Sequence, residues 1–150
     1  MLDKTTIRLA QPADFDHWKV LYRQYLAFYK TSLTDQELER VWSWFFDPQK
    51  QIYCHLAIHQ HHLVGLTHFR EFLRPLKAAT AVFMDDLYVD TLYRDKGIAQ
   101  MLIQSIKEYC IEKNIPLIRW ITAHDNETAM RLYNKIATQT QWQTYDLEIA

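Results

Sequence analysis

Glycine is nearly missing from this chain: Gly65 and Gly97 are the two among its 150 residues, and there are four prolines. Turns are therefore built mostly from residues with side chains, and a glycine marks a place where the backbone has a special demand. Cysteine is equally scarce. Cys54 and Cys110 stand far apart, match no metal or redox spacing, and read as reduced, buried thiols. No apolar run approaches the roughly 20 residues that a membrane span needs, and no apolar leader precedes the first amphipathic stretch. Neither sign of charge dominates, with 17 Lys and Arg against 18 Asp and Glu. That balance excludes a nucleic-acid binder working through a broad basic surface. What remains is a cytoplasmic protein, with 1–150 as a single domain.

What is abundant is apolar and aromatic surface: 49% of the residues are hydrophobic and 14% are Phe, Trp or Tyr. Thr5 to Ala10 reads as a first strand. Phe15, Trp18, Tyr22, Tyr25 and Tyr29 then recur every three or four residues, the signature of a helix with an aromatic stripe. Thr34 and Glu37 form a capping-box pattern opening a second helix through Leu38, Val41, Trp42 and Phe45, which stops before Pro48. These rings read first as core, and some of them as walls of a substrate pocket.

Gln51–Ile58 and Leu63–Phe69 read as a hairpin with His59, His61 and His62 at its turn. Turn geometry rarely converges three such rings on a metal, and no cysteine or carboxylate is adjacent, so a solvated turn is expected. A loop from Glu71 to Ala79 follows. The stretch Ala81–Val89 is strand-like, Ile98 to Tyr109 is an amphipathic helix, and Leu117–Thr122 is a strand. A helix from Glu127 to about Ala137, capped by Asp125 or Asn126, and a strand over Gln141–Ile149 close the chain. The order of elements gives one mixed α/β sheet.

The chemistry concentrates at Arg94-Asp95-Lys96-Gly97-Ile98-Ala99, between the acidic strand and the long helix. A strand feeding a glycine turn and then a helix N-terminus leaves backbone N–H groups pointing one way. The helix dipole adds positive charge there, so the place suits a phosphate or pyrophosphate. It is neither a P-loop nor a Rossmann fingerprint, both of which need more glycines. The stretch does match Arg/Gln-x-x-Gly-x-Gly/Ala. It is preceded by Asp85-Asp86-Leu87-Tyr88-Val89 and followed by Asn126-x-x-Ala129-x-x-Leu132-Tyr133.

Those three pieces, in this order and spacing, resemble the GCN5-related N-acetyltransferases (GNAT family). Within that family they are most similar to the diamine/polyamine and the yeast histone/polyamine acetyltransferase-like members. The resemblance covers roughly the second half of the chain. It implies a single-domain α/β fold with a mostly antiparallel central sheet, helices on both faces and a splay between two central strands. It also implies acetyl-CoA as cosubstrate, no metal, and a homodimer that touches neither nucleic acid nor membrane.

By the same resemblance, the main chain of Leu87, Tyr88 and Val89 would meet the pantetheine arm, with Asn126. Arg94, Asp95, Lys96, Gly97, Ile98 and Ala99 would hold the pyrophosphate. Asp85 would deprotonate the incoming amine, through water because Asp is one methylene shorter than the family's usual glutamate. Asp86 would bind a cationic amine, and Tyr133 would protonate the departing thiolate. Strand alternation sends Asp85 and Asp86 to opposite faces. The expected activity is acetyl transfer to a primary amine, a polyamine or other small amine. A protein or peptide lysine or N-terminal acetyltransferase and a non-catalytic CoA-binding regulatory domain are the alternatives.

Overall fold

A computed structural model describes residues 4–150. The chain forms two compact units, one reaching Trp120 and one beginning at Ile121. The first unit carries a five-stranded sheet in the order β1-β2-β3-β4-β5. Its strands are β1 (Thr5–Leu9), β2 (Ile52–His59), β3 (His62–Arg74), β4 (Ala79–Val89) and β5 (Ile118–Arg119). The first three pairings are antiparallel and β4–β5 is parallel. Helices α1 (Phe15–Phe28) and α2 (Asp35–Trp44) supply one face, and α3 (Ile98–Glu112) packs on the other. This is the mixed, mostly antiparallel α/β architecture that the sequence predicts.

The aromatic stripe forms because its residues share one side of α1. Trp18 is fully buried, and Tyr22 and Leu26 nearly so. They pack on Cys54, Leu56, Leu66 and Tyr88 of the sheet, with Trp42 and Phe45 alongside. The N-terminus of α2 is closed by the expected capping box. The N–H of Glu37 donates to Thr34 Oγ1 at 3.1 Å, and the N–H of Thr34 donates to Glu37 Oε1 at 2.8 Å.

On the opposite face Ile98, Leu102 and Val89 close a second, aliphatic cluster over Ala57 and Val64. Gly65 permits that approach: a Cβ there would lie 3.2 Å from both Leu102 Cδ1 and the carbonyl of Tyr88. The β2–β3 turn is made by Gln60 and His61, both with positive φ (49° and 70°). That is the backbone a two-residue hairpin loop requires, reached here without glycine.

Three elements differ from the sequence reading. The expected loop from Glu71 to Ala79 is mostly strand, because Glu71–Arg74 pair with Ala79–Val82 and the reversal fits into Pro75–Ala78. The strand expected over Leu117–Thr122 contracts to Ile118 and Arg119, which are all that β4 pairs with on that side. Gln141–Ile149 forms no strand, and Trp142, Tyr145, Leu147 and Ile149 stand exposed. Alternation reports a preference for extended backbone; a strand also needs a neighbouring edge to bond. In this second unit, α4 spans Glu127–Ile136.

Candidate active site

The two acids of β4 sit at a break in the sheet register. His68 pairs with Asp86 and Phe69 with Met84, so Asp85 is an extra residue with no partner of its own. A bulge of this kind re-aims side chains, and it corrects the expectation that alternation would part the two acids. Asp85 Oδ1 and Oδ2 accept from Arg70 Nε at 3.2 and 2.9 Å. Asp86 Oδ2 accepts from the ring of His68 at 2.7 Å. His68 and Arg70 are two residues apart on β3 and share a face, so both acids work on the α1 side of the sheet.

Asp86 is the more deeply held of the pair. Besides His68 it receives the hydroxyl of Tyr22 at 3.2 Å, and Tyr25 approaches the same carboxylate. Burial alone would raise its pKa, but the hydrogen bonds from His68, Tyr25 and Tyr22 outweigh burial and leave it below the ordinary value. The indole N–H of Trp18 donates to His68 Nε2 at 3.0 Å. That donor needs a lone pair on Nε2, so the ring proton sits on Nδ1 and points at Asp86. Burial, then the charge of Asp86, pushes both Tyr22 and Tyr25 well above an ordinary phenol.

Asp85 has the opposite balance. Burial lifts its pKa above the ordinary carboxylate value, Arg70 pulls it down by hydrogen bond and charge, and Asp86 pushes it up again. Its side chain remains 28% exposed. A carboxylate that is reachable and more basic than usual can accept a proton.

Beside these acids β4 loses its partner strand on the side away from β3. Val82 N–H donates to the carbonyl of Leu117 at 2.9 Å, so its main chain faces away from β3. Counting on through the bulge brings Leu87 and Val89 to that same outward side. There β5, which pairs only with Val82 and Phe83, no longer covers them. The resemblance implies a splay between two central strands, and the β4–β5 pairing ends at Phe83. Tyr88 points the other way and is buried in the α1 cluster.

Past β4, Asp90 caps a short 3-10 turn over Thr91–Tyr93 by accepting from Leu92 N–H at 3.0 Å. Arg94 folds back over the Tyr88 ring at 5.2 Å and donates from Nε to the carbonyl of Val89 at 3.0 Å. Asp95 and Gly97 both take left-handed backbone, with φ of 62° and 80°. A Cβ on Gly97 would meet nothing within 4 Å, so its φ, and not crowding, calls for glycine. Asp95 and Lys96 are exposed, whereas Ile98 anchors the turn in the core. The first bond inside α3 runs from Met101 N–H to the Gly97 carbonyl at 3.0 Å. The N–H groups of Ile98, Ala99 and Gln100 thus have no partner within the helix, and the dipole makes their end electropositive.

Asn126 and Tyr133 belong to the second unit. Asn126 occupies the N-cap position of α4 without a side-chain cap bond. Its Nδ2 donates instead to Thr122 Oγ1 at 3.4 Å. Tyr133 is half-buried on α4. Sequence reasoning missed His68, Arg70 and the use of Tyr22 and Tyr25 around Asp86. The available signal was the alternation Leu66, His68, Arg70, which sets two polar side chains on the core-facing side of an apolar strand.

The comparisons with known proteins agree with this arrangement. The model of the acetyltransferase (GNAT) family matches residues 18–137. A D-amino-acid N-acetyltransferase of Saccharomyces cerevisiae is 29% identical over 140 residues, covering 92% of this chain and 87% of the yeast protein. A ribosomal-protein-alanine N-acetyltransferase from Brucella melitensis biovar Abortus 2308 superposes with a TM-score of 0.81 at 22% identity, over 97% of this chain and 99% of that one. AAC(6')-Iy, solved with a CoA-S-monomethyl-acetylneamine bisubstrate analogue, superposes at 0.84 and 15% identity, over 97% and 99%. These two structures share the fold, and the family match extends through the acidic strand, the glycine turn and α4. The chain belongs to the acetyltransferase (GNAT) family and is an N-acetyltransferase.

Proposed function

We propose that this protein transfers the acetyl group of acetyl-CoA directly to the primary amine of a small molecule, with Asp85 as the proton acceptor. The observation that carries this reading is the bulge. It leaves Asp85 reachable and abnormally basic, two residues before Leu87. Bound acetyl-CoA supplies an acetyl group activated as a thioester.

Such a molecule needs donors and acceptors of the kinds that these residues carry. The outward main chain of Leu87 and Val89 would receive the pantetheine amides, with the Asn126 amide as a further donor. The N–H groups from Ile98 to Gln100, behind the turn of Arg94 to Ala99, would receive the pyrophosphate. Asp85 would take the ammonium proton, directly or through one water. Asp86, fixed as an anion, would favour the acceptor's ammonium group nearby.

Tyr133 would give its phenolic proton to the departing sulfur; an ordinary phenol, with a pKa of about 10, is protonated at neutral pH. Cys54 and Cys110 have no role as nucleophiles in this reading. Burial raises both thiols, Cys110 to about 11 and Cys54 well above an ordinary thiol. The polyamine-like reading and a small-amine acceptor in general share this chemistry. The yeast relative's name adds amino acids to the acceptors to be tried.

The test is release of free CoA thiol from acetyl-CoA across a panel of amines, with Tyr133→Phe beside the native enzyme. Amine-dependent release is expected, and Tyr133→Phe should lower kcat by about 10- to 1000-fold with acetyl-CoA affinity nearly unchanged. Native turnover in Tyr133→Phe would remove that residue from the chemistry.

A further inference from the structure

Arg70 is held in an unusual way for a surface cation. It stands opposite Phe83 in the β3–β4 register, with its guanidinium over that ring at 4.9 Å. Its Nε is committed to the two oxygens of Asp85. The Nη1 and Nη2 groups, which form the forked end of the guanidinium, have no hydrogen-bond partner among the described residues. The side chain is 46% exposed. An ion pair this open contributes little to stability, whereas ring and carboxylate together fix a planar fork beside the proposed proton acceptor.

We propose that Arg70 binds a carboxylate of the acceptor through its Nη fork, so that the acceptor is an α-amino acid whose ammonium group is presented to Asp85. This rests on the acetyltransferase reading above and deepens it. A free α-amino acid carries its ammonium and carboxylate on one carbon, a few ångströms apart. Asp85 and Arg70 offer the complementary pair of charges side by side. A guanidinium fork accommodates a carboxylate with two parallel hydrogen bonds, and stacking on Phe83 reduces the freedom lost on binding. Asp86, held by His68 and Tyr22, keeps its charge on the ammonium side and leaves the carboxylate to Arg70. A polyamine or aminoglycoside, which brings only cations, would instead meet Arg70 as a like charge. The same side chain therefore selects for one class and against the other.

The experiment measures thiol release from acetyl-CoA with matched pairs: phenylalanine against phenethylamine and leucine against isopentylamine. Each acid is used in both D and L forms, with spermidine as a purely cationic acceptor. The expected result is a kcat/KM preference for an amino acid over its decarboxylated partner of about 100-fold, expressed mainly in KM. Arg70→Gln should bring that ratio close to one, and Arg70→Lys should restore part of it. Both members of a pair use the same amine chemistry, so any effect of Arg70→Gln on Asp85 or on folding cancels in the ratio. Equal or better turnover of the decarboxylated amines or spermidine by the native enzyme overturns the proposal and leaves the acetyltransferase reading standing. A preference for acids that survives in both Arg70 variants also overturns it. No release with any acceptor, while acetyl-CoA binding is intact, overturns both.

Discussion

The sheet carries a histidine on each of its faces, and the two are treated in opposite ways. His55 of β2 lies toward α3. Its Nδ1 is 2.8 Å from Ser105 Oγ, and its ring meets the edge of Phe69 at 4.8 Å. The Ser105 hydroxyl itself donates to the carbonyl of Leu102, so the ring N–H donates to the serine oxygen. Burial depresses the pKa of His55 to about 4. His68 of β3 lies toward α1, fixed between the indole of Trp18 and the carboxylate of Asp86. The α3 face keeps its histidine neutral. The other is packed to hold a charge at a set position, and the acids proposed for catalysis and acceptor binding lie on that one. Perturbations at four residues probe this division, the largest effect first.

Asp85→Asn keeps the shape of the bulge and removes the proton acceptor. We expect kcat to fall by about 100- to 10,000-fold while thermal stability hardly changes. Asp86→Asn should do the reverse: a stability loss of about 1–3 kcal/mol as His68 and Tyr22 lose a charged acceptor, with the larger part of turnover retained. Asp85 must be ionised to accept a proton. Its pKa, raised chiefly by burial, therefore moves the acidic limb of kcat/KM above the ordinary carboxylate range, with activity increasing as pH rises through it. A limb at the ordinary carboxylate value, or Asp85→Asn at native turnover, would show that the two acids do not divide the work this way.

Trp18 sharpens the comparison on the side of stability. It is completely buried and touches Phe15, Tyr22, Trp42, Phe45 and His68. Trp18→Ala should cost about 3–5 kcal/mol in urea unfolding. Trp18→Phe keeps most of the packing but withdraws the N–H from His68 Nε2. It should cost about 1–3 kcal/mol, the range for leaving a buried polar group without its partner. A Trp18→Phe variant as stable as the native protein would mean that the hydrogen bond adds nothing beyond the ring.

Much of this arrangement was readable from residues alone. The spacing of Phe15, Trp18, Tyr22 and Tyr25 fixes a helix and its buried side, because periodicity depends only on backbone geometry. Thr34 and Glu37 announce a cap, and a lone glycine after a strand announces a left-handed turn at a helix start. The bulge at Asp85 left no such trace. Whether one residue is extra depends on the register against β3, which the sequence of β4 does not contain. The same limit hid the pairing of Glu71–Arg74 and made Gln141–Ile149 look like a strand. His68 escaped notice because its meaning comes from Trp18 and Asp86, fifty and eighteen residues away.

The smallest expected effect tests the quieter face. The folded pKa of His55, about 4, lies below the ordinary 6.5. The unfolded chain therefore takes up a proton at this residue before the folded one does. The stabilisation from burying a neutral ring is complete above about pH 6.5 and is lost progressively as pH falls toward about 4. The contribution is on the order of 1–3 kcal/mol. It can be read as the difference in urea-unfolding free energy between the native protein and His55→Gln at about pH 7.5 and again at about pH 4.5. That difference should narrow at the lower pH, because glutamine has nothing to protonate. Asp86 does not confuse the measurement. Its folded pKa is depressed, so its contribution is lost only as pH falls below the ordinary carboxylate range. Parallel curves for the two proteins would mean that the imidazole on the α3 face is as free to charge in the fold as out of it, and the contrast between the two faces would fail at that residue.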